Sequence, residues 1–231
     1  MADRNLAIVF PLFPGCLALD FTGPHMVFSR LSGARVMLAS KEGGQIEAEG
    51  GLTIAGLHRL SEIDACDILC VPGGGGVNEA IQDDVFLTEL RRLAARARFV
   101  TSVCTGSLAL GAAGLLRGKR AACHWYAREF LTAFGAIPDS ERVARDGNVI
   151  TSGGVTAGID FALSLVAELA GRETAEAIQL QIEYAPKPPF NAGAPETAPP
   201  HILAQVRGQY AASVERRRAA VALAVQRLRA H

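Results

Sequence analysis

Phe99-Val100-Thr101-Ser102-Val103-Cys104-Thr105-Gly106-Ser107-Leu108-Ala109-Leu110-Gly111-Ala112-Ala113 decides the reading of this chain. An apolar, β-branched run gives way within a few residues to a small-residue stretch of helical character. The turn between them carries a cysteine. At such a junction the unpaired N–H groups and the dipole of the helix favour a thiolate, below the free-thiol pKa of roughly 8.5. Gly106, two residues on, permits the close backbone approach of a tight strand-to-helix elbow. Cys104 is therefore the candidate nucleophile.

The rest of the chain supplies an α/β frame for that elbow. Leu6-Ala7-Ile8-Val9-Phe10, Ala34-Arg35-Val36-Met37-Leu38, Ile68-Leu69-Cys70-Val71 and Phe99 to Val103 read as buried strands, with Val149-Ile150-Thr151 a later one. Helical patterns cover Leu19 to Leu31, Asp84 to Ala97, Thr105 to Ala113, Tyr126 to Phe134, Thr156 to Ala170 and Glu173 to Glu183. The alternation predicts a largely parallel sheet with helices on both faces. Ligands of such sheets bind at the carboxyl ends of the strands. The turns Phe13 to Asp20, Pro72 to Gly76 and Ser152 to Gly154 follow strand ends and should ring one crevice with Cys104. A proline-rich stretch, Ala185 to Pro195, excludes helix and central strand there. Beyond Pro200, apolar residues from Ile202 to Leu228 repeat at helical spacing, interrupted by Arg216-Arg217-Arg218, which reads as a solvated face. The expected organisation is one α/β domain over residues 1–200 and a C-terminal helix over 201–231, packed on that domain or on a second copy.

Composition narrows the function. The 231 residues are 49% hydrophobic, enough for one large core, and 23 basic residues balance 23 acidic ones. Nothing marks a nucleic-acid or anionic-membrane surface. Met1 to Asn5 runs directly into the first strand, and no apolar run approaches the roughly 18 residues of a membrane span. A soluble, cytoplasmic protein is expected. Cys16, Cys66, Cys70, Cys104 and Cys123 lack metal-ligand spacing and read as reduced thiols, so neither a metal nor a cofactor is expected. Gly73 to Gly76 has no following Lys-Ser/Thr and no complete dinucleotide fingerprint, and reads as a crevice wall rather than a phosphate cradle. None of His25, His58, His124, His201 and His231 is tied to Cys104 by its position. His124 and Trp125 read as packing residues that start a helix.

These residues together resemble the DJ-1/PfpI superfamily along nearly the whole chain. The resemblance rests on Phe10-Pro11 through Leu19-Asp20-Phe21-Thr22-Gly23-Pro24, on Val71-Pro72-Gly73-Gly74-Gly75, on Ser102 to Gly106, on His124-Trp125, on Thr151 to Asp160 and on Pro188 to Gly193. It implies a flavodoxin-like three-layer sandwich and a homodimer. Among the branches of the superfamily, the chain looks most like the isocyanide hydratases. Protease-like members carry His directly after the nucleophile, where Thr105 stands here, so amide hydrolysis is disfavoured. DJ-1-like members place a glutamate opposite the cysteine, whereas the matching position here is Asp20.

The chemistry implied is water addition to an isocyanide, giving an N-substituted formamide through a Cys104 thioimidate. Asp20 would serve as acid and base, its pKa raised by burial and by the neighbouring sulfur. Thr105 would hydrogen-bond the intermediate or water, with the amides of Gly74 and Thr105 steadying charge. Gly153, Gly154 and Val155 would stand beside the nucleophile and admit the substrate. Plainer readings remain: Asp20 capping a helix that begins near Phe21, and Thr105 serving only as an N-terminal helix residue. Other functions remain too. Glyoxalase-like or redox-sensing chemistry would use the same cysteine, though Asp20 and Thr105 argue against it. An AraC-like sensor would need paired helix-turn-helix units, and only about thirty residues follow Pro200.

Overall fold

The computed structural model describes residues 6–230. The segment Met1 to Asn5 and His231 lie outside the described residues. The buried runs form strands β1 (Leu6–Leu12), β2 (Ala34–Ser40), β3 (Gly44–Glu47), β4 (Thr53–Arg59), β5 (Ile68–Val71), β6 (Phe99–Val103), β7 (Arg120–Ala122), β8 (Ile137–Asp139), β9 (Val143–Asp146) and β10 (Val149–Ser152). The helices are α1 (Ala18–Phe28), α2 (Val77–Ala80), α3 (Asp84–Ala94), α4 (Gly106–Ala112), α5 (Ala157–Ala170), α6 (Arg172–Gln181) and α7 (Pro200–Ala230).

Eight strands make one sheet in the order β3-β4-β2-β1-β5-β6-β10-β9, parallel except where β3 and β9 pair at its two edges. The mostly parallel, flavodoxin-like α/β fold expected of the sequence is the fold observed. Its central strands β5, β6 and β10 are buried at every position, which is why they show no polar–apolar alternation; their only polar residues, Thr101, Ser102, Thr151 and Ser152, are themselves fully buried. Helices α1 and α5 pack together on one face, with Phe28 and Phe161 edge to face at 5.9 Å, while α2, α3 and α4 cover the other. Helix α7 lies across α2, α4 and a 3-10 segment, Arg128–Phe134.

Connectivity explains where the site must lie. The chain runs from β1 outward to β2 and then returns to β5 on the other side of β1, so the β1/β5 boundary is a topological switch point. The segments after β1, β5, β6 and β10 all emerge at the same end of the sheet beside that boundary. They contain Asp20, Gly73, Cys104 and Gly153 respectively.

Two local expectations change. The stretch from Tyr126 is not an α-helix: His124, Trp125 and Tyr126 lie in a turn, followed by the 3-10 segment, which ends at Gly135 in the left-handed region. The arginine triplet is not wholly solvated either, since Arg217 is fully buried between exposed Arg216 and Arg218.

One glycine shows how tightly the elbow is built. A Cβ on Gly106 would be driven into the Val71 carbonyl oxygen, with the Pro72 oxygen 2.8 Å away. Gly106→Ala should therefore lower the unfolding free energy by at least about 3 kcal/mol in urea denaturation. Gly208→Ala, in α7 with open space around its Cβ, should raise it by up to about 1 kcal/mol.

Candidate functional site

Strand β6 ends at Val103, and Cys104 follows with φ at +56°, a left-handed conformation that side-chain-bearing residues rarely adopt. Its N–H donates to the Ser152 carbonyl at 3.0 Å, tying the elbow to the end of β10. The strain is held by the sheet on one side and α4 on the other, as expected where a nucleophile is presented on a fixed turn.

Asp20 meets this elbow from the first turn of α1. The helix begins at Ala18 with Leu17 as its cap residue, so Asp20 lies inside the helix and does not cap it. Its carboxylate oxygen Oδ2 accepts from the Gly73 N–H at 2.9 Å, and Oδ1 has no partner in hydrogen-bond geometry among the described residues. The Cys104 thiol lies beside it, close enough to hold the carboxyl pKa down. Burial outweighs both effects and raises Asp20 from 3.8 to about 7.

Cys104 is 4% exposed. Burial first, then the charge of Asp20, pushes its thiol well above the usual range, against the Thr105 N–H and the more distant Arg217 guanidinium. This corrects the thiolate expected from the elbow. Helix α4 has only seven residues, and its N-terminal field is too small to offset complete desolvation beside a carboxylate. The resting site is a thiol next to an acid that is half-protonated near neutrality.

Thr105 is the cap residue of α4, but its hydroxyl does not bond to that helix. Its Oγ1 instead accepts from the Gly74 N–H at 3.0 Å and faces the Gly74 carbonyl at 3.3 Å. The Gly74 amide expected to steady developing charge is thus already engaged, whereas the Thr105 N–H faces the sulfur. Gly73 must be glycine for this arrangement, because a Cβ there would lie 2.5 Å from Thr105 N and Oγ1 and 2.9 Å from Asp20 Oδ2. Gly74 pairs with Cys16 across an isolated antiparallel bridge, which fixes the glycine loop to the β1 turn. The Cys16 thiol is buried and pushed up to about 11.

Gly153 and Gly154 follow β10 at the level of Cys104. Gly153 donates to the Arg142 carbonyl at 2.9 Å, and a Cβ on Gly154 would lie 3.9 Å from the His124 ring. Val155 is half-buried beside them. His124 was expected only to pack, yet its Nδ1 is buried without a partner among the described residues, and burial lowers its pKa to about 4. Sequence reasoning missed one group altogether. Arg217 of α7 reaches the same region, and its signal lay in its spacing, since Ala220, Val221 and Ala224 follow it on one buried helical face. Among the described residues no group of three His, Cys, Asp or Glu side chains is placed to hold a metal ion. A 510 Å³ cavity lies elsewhere, between the glycine loop and the β2–β3 turn, and Cys104 does not line it.

The sequence pattern of the DJ-1/PfpI family matches residues 7–168, which contain Asp20, Cys104 and both glycine turns. The chain belongs to the DJ-1/PfpI family. Within that family it is 48% identical to the isonitrile hydratase of Pseudomonas putida over 92% of this chain and 93% of that one. The crystal structure of a ThiJ/PfpI family protein from Pseudomonas syringae superposes with a TM-score of 0.91 at 42% identity, covering 95% of this chain and 90% of that one. The HTH-type transcriptional regulator GbdR of Pseudomonas aeruginosa is 33% identical over 70% of this chain but only 45% of its own length.

The Asp20 shift has a stability consequence. An acid whose folded pKa exceeds its unfolded value holds its proton more tightly when folded. Its stabilisation is complete below about pH 4 and is lost as pH rises through 7. His124 acts with the opposite sign between about 4 and 6.5, so the comparison must be with Asp20→Asn, which keeps an acceptor for Gly73. Between about pH 5 and pH 8 the wild type should lose roughly 3 kcal/mol relative to Asp20→Asn in urea unfolding.

Proposed function

We propose that this DJ-1/PfpI protein is an isonitrile hydratase, a hydro-lyase that adds water to an isocyanide R–NC to give the N-substituted formamide. The observation that carries the reading is a buried carboxyl, titrating near 7, held against a thiol on a strand-to-helix elbow with no imidazole directly after it. The 48% identity to a named isonitrile hydratase over nearly the full length supports it.

The residues present account for each proton. Sγ of Cys104 bonds to the terminal carbon of R–NC while Asp20 delivers a proton to that carbon and receives the thiol proton in exchange. The product is a thioimidate, R–N=CH–S. Asp20 then protonates nitrogen and takes a proton from the attacking water, forming a tetrahedral adduct. Collapse of the adduct breaks the C–S bond, returns the hydroxyl proton to sulfur and releases R–NH–CHO. A pKa near the working pH suits Asp20 to both directions of transfer. Thr105 positions the glycine loop, and its N–H faces sulfur, while in this reading Gly153, Gly154 and Val155 are the residues that admit R.

A homodimer and a cytoplasmic location belong to the same proposal. Ile202, Tyr210 and Leu223 leave apolar surface exposed on α7, and all five cysteines are free. No helix of the described residues is long and apolar enough to cross a membrane. The test is formamide production from a simple alkyl isocyanide by the purified protein. Cys104→Ala should abolish turnover, and Asp20→Asn should lower kcat/KM by about 10³-fold or more. Turnover that survives the loss of Cys104 would refute the covalent route.

A further inference from the structure

Arg217 is fully buried, on the face of α7 that covers α2 and α4. Its Nε donates to Asn78 Oδ1 at 3.1 Å, and its guanidinium carbon lies 5.2 Å from the Tyr126 ring centroid. Both terminal nitrogens are buried and have no partner in hydrogen-bond geometry among the described residues. Tyr126 in turn packs on the His124 ring at 4.4 Å, and His124 borders Gly154 beside the elbow. A second tie holds this turn to the nucleophile: Ser107, in the first turn of α4, donates to the Ala122 carbonyl at 2.6 Å. The cation therefore sits in the layer that closes over Cys104.

A buried guanidinium is costly unless an anion offsets its charge. Its neighbours among the described residues offer none. Asn78 is an amide, Tyr126 offers its ring and a phenol that burial keeps protonated, His124 is held neutral and Cys123 is pushed up to about 12. Arg128, from the 3-10 segment, adds a second cation near His124. The charges that bear on Cys104 are Asp20 from α1 and Cys123 from the turn after β7, which disfavour its ionisation, and Arg217 from α7, which favours it, with the Tyr126 phenol in the same group. In this group the sulfur is the atom that must become negative and then neutral again in each turnover.

We propose that Arg217 is a positioning residue that stabilises negative charge on Sγ of Cys104 as the C–S bond forms and breaks. It acts through the buried, low-dielectric layer of Tyr126 and His124 rather than through a hydrogen bond to sulfur, opposing the carboxyl of Asp20. The inference rests on Cys104 being the nucleophile of the proposed reaction, but its test needs no isocyanide.

The experiment compares alkylation of Cys104 by anionic iodoacetate and neutral iodoacetamide at fixed pH, resolved by peptide mass because the other four cysteines also react. The ratio of the two rates reports the potential at Sγ and cancels changes in access. Arg217→Met and Arg217→Gln should each lower the iodoacetate-to-iodoacetamide ratio by about five- to tenfold, and Arg217→Lys should stay within about twofold of the wild type. The neutral variants should also alkylate more slowly with iodoacetamide at about pH 8, in proportion to thiolate lost. Two neutral side chains of different shape guard against one that fails to fold. An unchanged ratio in a folded neutral variant overturns the proposal, as does a lysine variant that behaves like methionine. Failure of formamide production would strike at the hydratase reading and leave this ratio free to stand or fall.

Discussion

The hydrogen bond from the Gly73 N–H to Asp20 Oδ2 is the contact on which the site depends. It joins the first turn of α1 to the loop after β5, two segments that leave the sheet on either side of its switch point. With this bond made, the carboxyl has one oxygen anchored, the other without a partner in hydrogen-bond geometry among the described residues, and the Cys104 thiol beside it. Gly73 can make the bond only because it has no side chain, since Thr105 and Asp20 occupy the space a methyl group would need. Thr105 closes the arrangement from the third side through Gly74. Fold and chemistry share the same atoms here, and a change meant to alter catalysis at the loop will also disturb packing.

Electrostatics then set what the site can do. A carboxyl and a thiol are buried together: burial opposes ionisation of both, the carboxyl further opposes that of the sulfur, and the thiol only partly eases that of the carboxyl. In the proposed reaction the cysteine therefore gains reactivity by passing its proton to a neighbour when substrate arrives, rather than by resting as a thiolate. An isocyanide carbon, which must accept both a nucleophile and a proton, is suited to such a pair. In the account proposed for Arg217, helix α7 brings a compensating cation from far along the chain, beyond the proline-rich stretch.

Much of this arrangement could be read from residues, and the exceptions have physical reasons. Continuous apolar runs such as Ile68 to Val71 announced the parallel core, and a cysteine between strand and helix marked the elbow. The edge strands β3 and β9, and β4 beside β3, give no apolar run because much of their surface is solvated and their segments carry Gly, Gln, Arg and Asp. The state of Cys104 was misjudged because sequence shows the helix that follows but not how completely water is excluded. Arg217 was hidden by its charged neighbours Arg216 and Arg218, although the apolar residues three, four and seven positions later share its face. The bond between Asp20 and Gly73 spans 53 positions, and no local pattern encodes it.

The most direct measurement is infrared titration of the Asp20 carboxyl, following the carbonyl stretch of a protonated acid that disappears in Asp20→Asn. If burial governs the site as described, that band persists toward neutrality and is lost with a midpoint of about 7. A band already gone by about pH 5, near the ordinary carboxylate range, would mean that Asp20 is ionised in the resting protein, and the proton inventory of the proposed mechanism would be wrong.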